Sequence, residues 1–211
     1  MHISDGVLDI KIIAGGFTAA AGLTALALKK VKSDDIPRLA VMGAFFFVSS
    51  LIHFKVGITS IHLTFIGLMG IILGIPSILA ILTGLFFQAV MFQHGGISTL
   101  GVNTVIFGLP ALLVYGAFLP LAKRWKGRPF CLSLAGGILA GLTILTAAGL
   151  ILVIIRFSGD EFTGIAFVFS AAHGILALVE GVITFFILRR LLKIKPEMLY
   201  AYKAGTLESS G

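Results

Sequence analysis

Seven apolar stretches, near residues 7–28, 37–53, 60–74, 76–92, 102–121, 130–156 and 162–191, leave this chain little polar surface for a soluble domain. Hydrophobic residues make up 58% of it and charged residues 12%, about half the roughly 25% charge of a soluble domain. The expectation is an all-α polytopic membrane bundle of about seven transmembrane helices in one domain, residues 1–204. The third and fourth stretches run about 15 to 17 residues, near or below the roughly 20 that a full crossing needs. Gly74-Ile75-Pro76 separates them, because proline lacks an amide donor and disfavours helix just before itself. Short helices are tolerable where their ends face a protein-lined cavity, so a cavity is expected near the outer ends of helices three and four.

Lys and Arg set the expected orientation. Lys29, Lys30, Lys32 and Arg38, then Lys123, Arg124, Lys126 and Arg128, then Arg189, Arg190, Lys193, Lys195 and Lys203 fall on one side of a seven-span chain. Lys11, Lys55 and Arg156 fall on the other side or near it. Positive residues accumulate in cytoplasmic loops, which predicts an outside N-terminus and a cytoplasmic C-terminus. The net charge of +7 is thereby explained by the bilayer, with no nucleic acid partner. No basic region precedes the first apolar stretch, so it does not read as a cleavable signal peptide. The glycine-rich stretch 130–149 suggests close packing through small residues. A single Cys131 excludes an internal disulfide and Cys-based metal motifs. Residues 205–211 read as a cloning remnant.

The chemistry concentrates at the start of the chain. A free α-amine on Met1, the backbone nitrogen of His2 and its imidazole can close fused chelate rings around one ion. His62, at the start of an apolar segment, is the candidate fourth donor. Four nitrogens in a plane suit Ni(II) or Cu(II) and not tetrahedral Zn(II). Met followed by His also arises by chance, and the dipeptide alone leaves both readings open. His2, His53, His62 and His94 all map to outer ends or outer loops, and His173 falls inside a span. Thr59 and Ser60 are expected to cap helix three and hold His62 at its first turn. The loop from His94 through Gly95-Gly96 to Asn103 either lines the cavity or orients His62 by hydrogen bonds, with direct ligation by His94 the less favoured option. Glu180 lies seven residues beyond His173 on one helix face. It is read as a structural lock paired with an inner-loop cation, with a polar relay as the alternative. Asp5 and Asp9 are read as capping or neutralising the N-terminal segment.

Taken in order, Met1-His2-Ile3-Ser4-Asp5-Gly6, Thr59-Ser60-Ile61-His62 with Gly67 and Gly70, His94-Gly95-Gly96 through Gly101-Val102-Asn103, and Glu180-Gly181-Val182-Ile183-Thr184 resemble one family. It is the substrate-binding membrane component of cobalt/nickel energy-coupling-factor transporters, the CbiM/NikM type. The resemblance spans the chain up to residue 200. It implies that Met1 and His2 fold back into the bundle and bind the ion with His62, and that the metal is cargo rather than cofactor. It also implies a prokaryotic inner membrane location. The implied partners are a membrane coupling (T) component, two cytoplasmic ATPase subunits and, in some assemblies, a small accessory membrane protein. Ala14, Ala21 and Gly22 are candidate contacts for the coupling subunit. The chain has no P-loop of its own, no His-Glu-x-x-His and no Gly-x-Ser-x-Gly, which argues against an ATPase or an intramembrane enzyme. A vitamin-binding component is the alternative, with the 18 Phe as a possible lining. Nickel is slightly preferred over cobalt on planar geometry. Affinity is expected to fall between roughly pH 7 and 6 as the amine and imidazoles protonate.

Overall fold

The computed structural model describes residues 2–56, 59–157 and 166–200; within 54–60 and at 166–168 and 170 it describes the backbone alone. Among these residues seven α-helices and one small hairpin follow in order. Residues 2–9 lead into α1 (Ile10–Leu28), whose first turn is capped by Asp9, the side chain accepting from Lys11 N–H at 2.8 Å. Then come α2 (Ile36–Ser49), strands β1 (His53–Val56) and β2 (Thr59–His62), α3 (Ile66–Leu73), α4 (Ser77–Phe92), α5 (Leu100–Arg124), α6 (Pro129–Arg156) and α7 (Ala166–Ile194). Four of these helices, α1, α5, α6 and α7, are long and apolar enough to cross a membrane.

The helical expectation holds for most of the chain and fails at its centre. The second helix stops at Ser49, where the hydroxyls of Ser49 and Ser50 turn back onto the carbonyls of Phe46 and Phe47. Such bonds compete with the helical ladder. His53–Val56 and Thr59–His62 then pair antiparallel, His53 opposite His62 and Val56 opposite Thr59. The expected bounds put His53 at the end of helix two and Ser60–His62 at the start of helix three, because a short apolar run reads the same as strand or buried helix. The third helix is consequently only eight residues, about 12 Å long at 1.5 Å per residue, against a hydrocarbon core of about 30 Å. It is no crossing by itself.

All eight residues of α3 are buried, enclosed by α2, α4, α5 and α6. Glycines allow that enclosure. A Cβ on Gly70 would lie 2.2 Å from the Ala111 carbonyl oxygen of α5, and one on Gly67 2.6 Å from Ala140 Cα of α6. Backbone stands on backbone at both points, so neither neighbour can yield as a flexible side chain would. Gly70→Val is therefore expected to destabilise the bundle by about 3 kcal/mol or more, measured as a lowered unfolding midpoint in detergent. The same device joins α1 to α5, where a Cβ on Gly101 would meet Phe17 backbone at 2.6 Å. It also joins α6 to α7, where Gly137 and Gly181 each face the other's carbonyl. Close approach through small residues is how helices associate where lipid removes the hydrophobic drive.

Beyond α3, Gly74 takes a left-handed φ of +63° and Pro76 starts the turn into α4. The breaker read from Gly74-Ile75-Pro76 thus acts as expected. With α3 buried at the centre and the hairpin over its N-terminal end, one end of the bundle is closed by 2–9, the hairpin and the 93–99 loop. This is the end at which four histidines meet.

Candidate metal centre

The N-terminal segment is pinned into the bundle at Ile3, while Ser4, Asp5 and Gly6 stay exposed. Ile3 is 3% exposed, and both its peptide groups are taken by one side chain: its N–H donates to Asn103 Oδ1 at 3.0 Å, and Asn103 Nδ2 donates to its carbonyl at 2.9 Å. Thr99 Oγ1 donates to the same carbonyl at 2.7 Å. Two residues on, Asp5 Oδ1 accepts from Ser98 N–H at 3.0 Å and from the Ser98 hydroxyl. Gly95, at φ +77°, and Gly96 form the floor of this groove. A Cβ on Gly95 would crowd Asn103 and His2, and one on Gly96 would overlap the Asp5 carboxylate. The glycine pair is therefore the seat of the N-terminal segment.

Clamped in this way, His2 projects onto the end of β2. Its Nδ1 lies 3.2 Å from His62 Nε2, with the rings stacked at 4.8 Å and 13° between planes. Phe107, fully buried, meets the His2 ring edge-on at 5.2 Å. Metal–nitrogen bonds of about 2.0 Å place adjacent donors of a square about 2.8 Å apart and opposite donors about 4 Å apart. The observed 3.2 Å separation suits two adjacent corners. The nitrogen of His2 that closes a chelate ring with its own backbone nitrogen is Nδ1, the one presented to His62.

The second nitrogens of both rings are consistent with that assignment. His62 Nδ1 lies 3.3 Å from the Leu63 carbonyl; donating its proton there leaves Nε2 with its lone pair towards His2. His2 Nε2 is sealed from solvent without a hydrogen-bond partner, as is Gln88 Oε1. The Gln88 side chain nevertheless stands near enough to work against the effect of burial on His2, and its Nε2 is held by Ser50 Oγ at 2.8 Å. Burial, reinforced by the other imidazoles, holds the His2 and His62 pKa values well below the ordinary histidine range. Burial and then His53 lower that of His94. At neutral pH these rings are uncharged and their lone pairs are available to a metal.

Two imidazoles do not make a site. Among the described residues no three His, Cys, Asp or Glu groups converge to hold an ion, so further donors would have to come from the backbone next to His2. Met1, the remaining residue of the expected chelate, lies outside the described residues. His94 comes to 6.5 Å from both His2 and His62, ring centre to ring centre, which places it beside the pair rather than within it. Asn103 makes its described hydrogen bonds to Ile3 and Thr99 and orients the N-terminal segment, not His62. Asn103→Ala is expected to weaken metal binding about 10–100-fold, read by titration of the purified protein.

Two expectations need correction. His62 ends a strand rather than starting a helix, and Ser60, opposite Lys55 in the hairpin, is no cap; its side chain lies outside the described residues. Glu180 is buried and, among the described residues, pairs with no inner-loop cation. Its carboxylate accepts from the backbone N–H groups of Thr64 and Phe65 and from the Thr64 hydroxyl, two and three residues beyond His62. His173 instead bonds the Phe169 carbonyl, and no described hydrogen bond links it to Glu180 in a relay. The lock reading of Glu180 survives, moved from the inner surface to the N-terminus of α3. Thr99, Ser98 and Gln88 gave no separate signal in the sequence, being ordinary polar residues in a loop and a helix.

The chain matches, over residues 2–198, the family model described as CbiM, cobalt uptake substrate-specific transmembrane region. It is 34% identical over 217 residues to the cobalt transport protein CbiM of Acetohalobium arabaticum, covering 92% of this chain and 82% of that one. A second cobalt transport protein CbiM, from Acetoanaerobium sticklandii, is 31% identical over 222 residues, covering 93% and 86%. A crystal structure of a transition metal transporter superimposes with a TM-score of 0.78 at 25% identity, covering 92% of this chain and 93% of that one.

Proposed function

This chain belongs to the CbiM family of substrate-specific membrane components for cobalt uptake, and from that premise we propose that it captures a divalent nickel or cobalt ion in a planar four-nitrogen site. The donors are the Met1 amine, the His2 backbone nitrogen, His2 Nδ1 and His62 Nε2. The observation that carries the reading is the 3.2 Å approach of His2 Nδ1 to His62 Nε2, at the end of a segment gripped through Ile3 by Asn103. In the loaded site Gln88 Oε1 accepts from His2 Nε2–H and so fixes the tautomer. Cobalt is the metal named for the relatives; a planar nitrogen set favours nickel, which also stands above cobalt in intrinsic affinity.

The site opens to the outside of a prokaryotic inner membrane, with the C-terminus cytoplasmic. The basic loops after α1 and α5 and the tail after α7 face inward. ATP hydrolysis belongs to partners: two cytoplasmic ATPase subunits acting through a membrane coupling component, with a small accessory membrane subunit in some assemblies. Ala14, Ala21 and Gly22 are exposed along α1, which leaves a smooth strip for the coupling component to slide against.

Titration with Ni(II) tests the reading: tight 1:1 binding with the yellow absorption of diamagnetic square-planar nickel is expected. Its pH dependence is a sharper test. Both imidazoles are held below their ordinary pKa by burial, so they contribute no proton competition between pH 7.5 and about 6.5. The amine, which ordinarily titrates near ~8, and the backbone amide must still lose a proton each. Log affinity should therefore rise by about two per pH unit in that window and steepen only at lower pH. A flat profile would sink the amine and amide donors. A slope near four across pH 7 to 6 would mean that the imidazoles titrate as if exposed.

A further inference from the structure

Two histidines that the proposed four-nitrogen site does not use stand between it and solvent. His53, exposed, starts β1 directly opposite His62 across the hairpin, and cross-strand partners share a face. His94 is half-buried and is fixed by the end of α4, where Gln93 turns left-handed at φ +54° and His94 N–H donates to the Gln88 carbonyl at 3.1 Å. The two rings lie 4.7 Å apart, and His53 lies 5.5 Å from His62. His53 Nδ1 bonds the Leu51 carbonyl at 3.0 Å, and donating there leaves Nε2 as a free donor for a metal. His94 Nδ1 is sealed from solvent without a hydrogen-bond partner, a cost that packing alone does not repay.

We propose that His53 and His94 form a second, weaker site for the same class of divalent transition metal, a way-station at which a hydrated ion exchanges its first waters for imidazole before moving on to His62. The inference rests on the capture reading above. Imidazole suits nickel and cobalt alike, and two such ligands completed by water bind weakly enough to pass the ion on. A site on the way to a deeper one must bind strongly enough to accept the ion and weakly enough to release it. Exposure falls along the row from His53, exposed, through His94, half-buried, to His62, 3% exposed, so dehydration would proceed in steps. Movement from His53 to His62 covers about one ring separation.

The test uses NiCl2 and the full-length protein with its native amino terminus, comparing wild type, His53→Gln, His94→Gln, the double variant, His62→Ala and the triple combination. Stopped-flow absorbance should show association slowed about tenfold in the double variant, with equilibrium affinity at the tight site within about threefold of wild type. His62→Ala, which keeps the three nitrogens of the Met1–His2 chelate, should lose about one equivalent of weakly bound ion when His53→Gln and His94→Gln are added. His53→Gln alone, altering an exposed side chain, should fold normally and show part of the kinetic loss. An unchanged association rate in the double variant overturns the way-station. So does a hundredfold loss of equilibrium affinity, which would make these residues ligands of the tight site. Failure of the capture reading shows separately, as wild-type affinity that His62→Ala leaves intact.

Discussion

Acetylation of the Met1 amine is expected to weaken Ni(II) or Co(II) binding by at least about a thousandfold. Acetylation turns the amine into an amide that cannot close a five-membered ring with the His2 nitrogen; a glycine inserted ahead of Met1 would not serve, because Gly-Met-His itself offers an amine, two amide nitrogens and an imidazole to one ion. Loss of a hydrogen-bonded support behind a ligand costs about 10–100-fold; here the amine itself goes and the chelate goes with it. The segment has no way to compensate by sliding. Asn103 holds both peptide groups of Ile3, Thr99 holds its carbonyl, and Ser98 holds Asp5, so a shift of one residue would break all of these contacts and carry His2 away from His62. The measurement is titration of the two proteins side by side, after mass spectrometry has verified each amino terminus. Equal affinity would remove the amine from the site and leave the His2–His62 pair to be explained otherwise. Retained affinity accompanied by loss of the yellow nickel absorption would instead mean that His94 has moved in to replace the lost donor.

That prediction could be framed from the first two residues alone, because chelate-ring size is local chemistry that needs no fold. His62 was singled out as the candidate partner from its place at the head of an apolar segment, and the fold does bring it against His2. Its local structure was not legible. Thr59-Ser60-Ile61-His62 carries β-branched residues alternating with polar ones, yet it adjoins a strongly apolar run, and hydropathy merges the two. The hairpin shows itself through pairing with His53–Val56, a contact that no window along one segment contains. Asn103 was legible as a polar residue in the right loop, while its hold on Ile3, 100 residues away in sequence, was not. The Gly95-Gly96 pair was visible as part of an outer loop near the cavity. That it seats the N-terminal segment depends on Asp5 and His2 approaching its bare backbone.

Glu180 is the residue whose meaning changes most on folding, and Glu180→Ala should be among the most damaging single substitutions in the chain. The N-terminus of α3 has no cap of its own, since Phe65 occupies the cap position in a left-handed conformation with no side-chain hydrogen bond. A helix start leaves N–H groups without intrahelical partners and favours an anion there. Glu180 supplies the acceptors from α7, its two oxygens accepting from Thr64 N–H, Phe65 N–H and the Thr64 hydroxyl. Each N–H left buried without an acceptor costs about 1–3 kcal/mol, so removing the carboxylate should destabilise the bundle by about 3–5 kcal/mol. Glu180→Gln should cost less, because one oxygen remains while the new amide sets a donor against a donor. The same contact reaches the proposed metal centre, since Thr64 lies two residues from His62. Release of the β2–α3 junction should loosen the His62 ring and weaken nickel binding about 10–100-fold, in the order Ala, then Gln. Unfolding in detergent reads the first effect and metal titration the second. Glu180→Ala with unchanged unfolding and unchanged affinity would show that α7 merely touches this junction; loss of both together would show that one carboxylate ties the last helix of the bundle to the hairpin that carries His62.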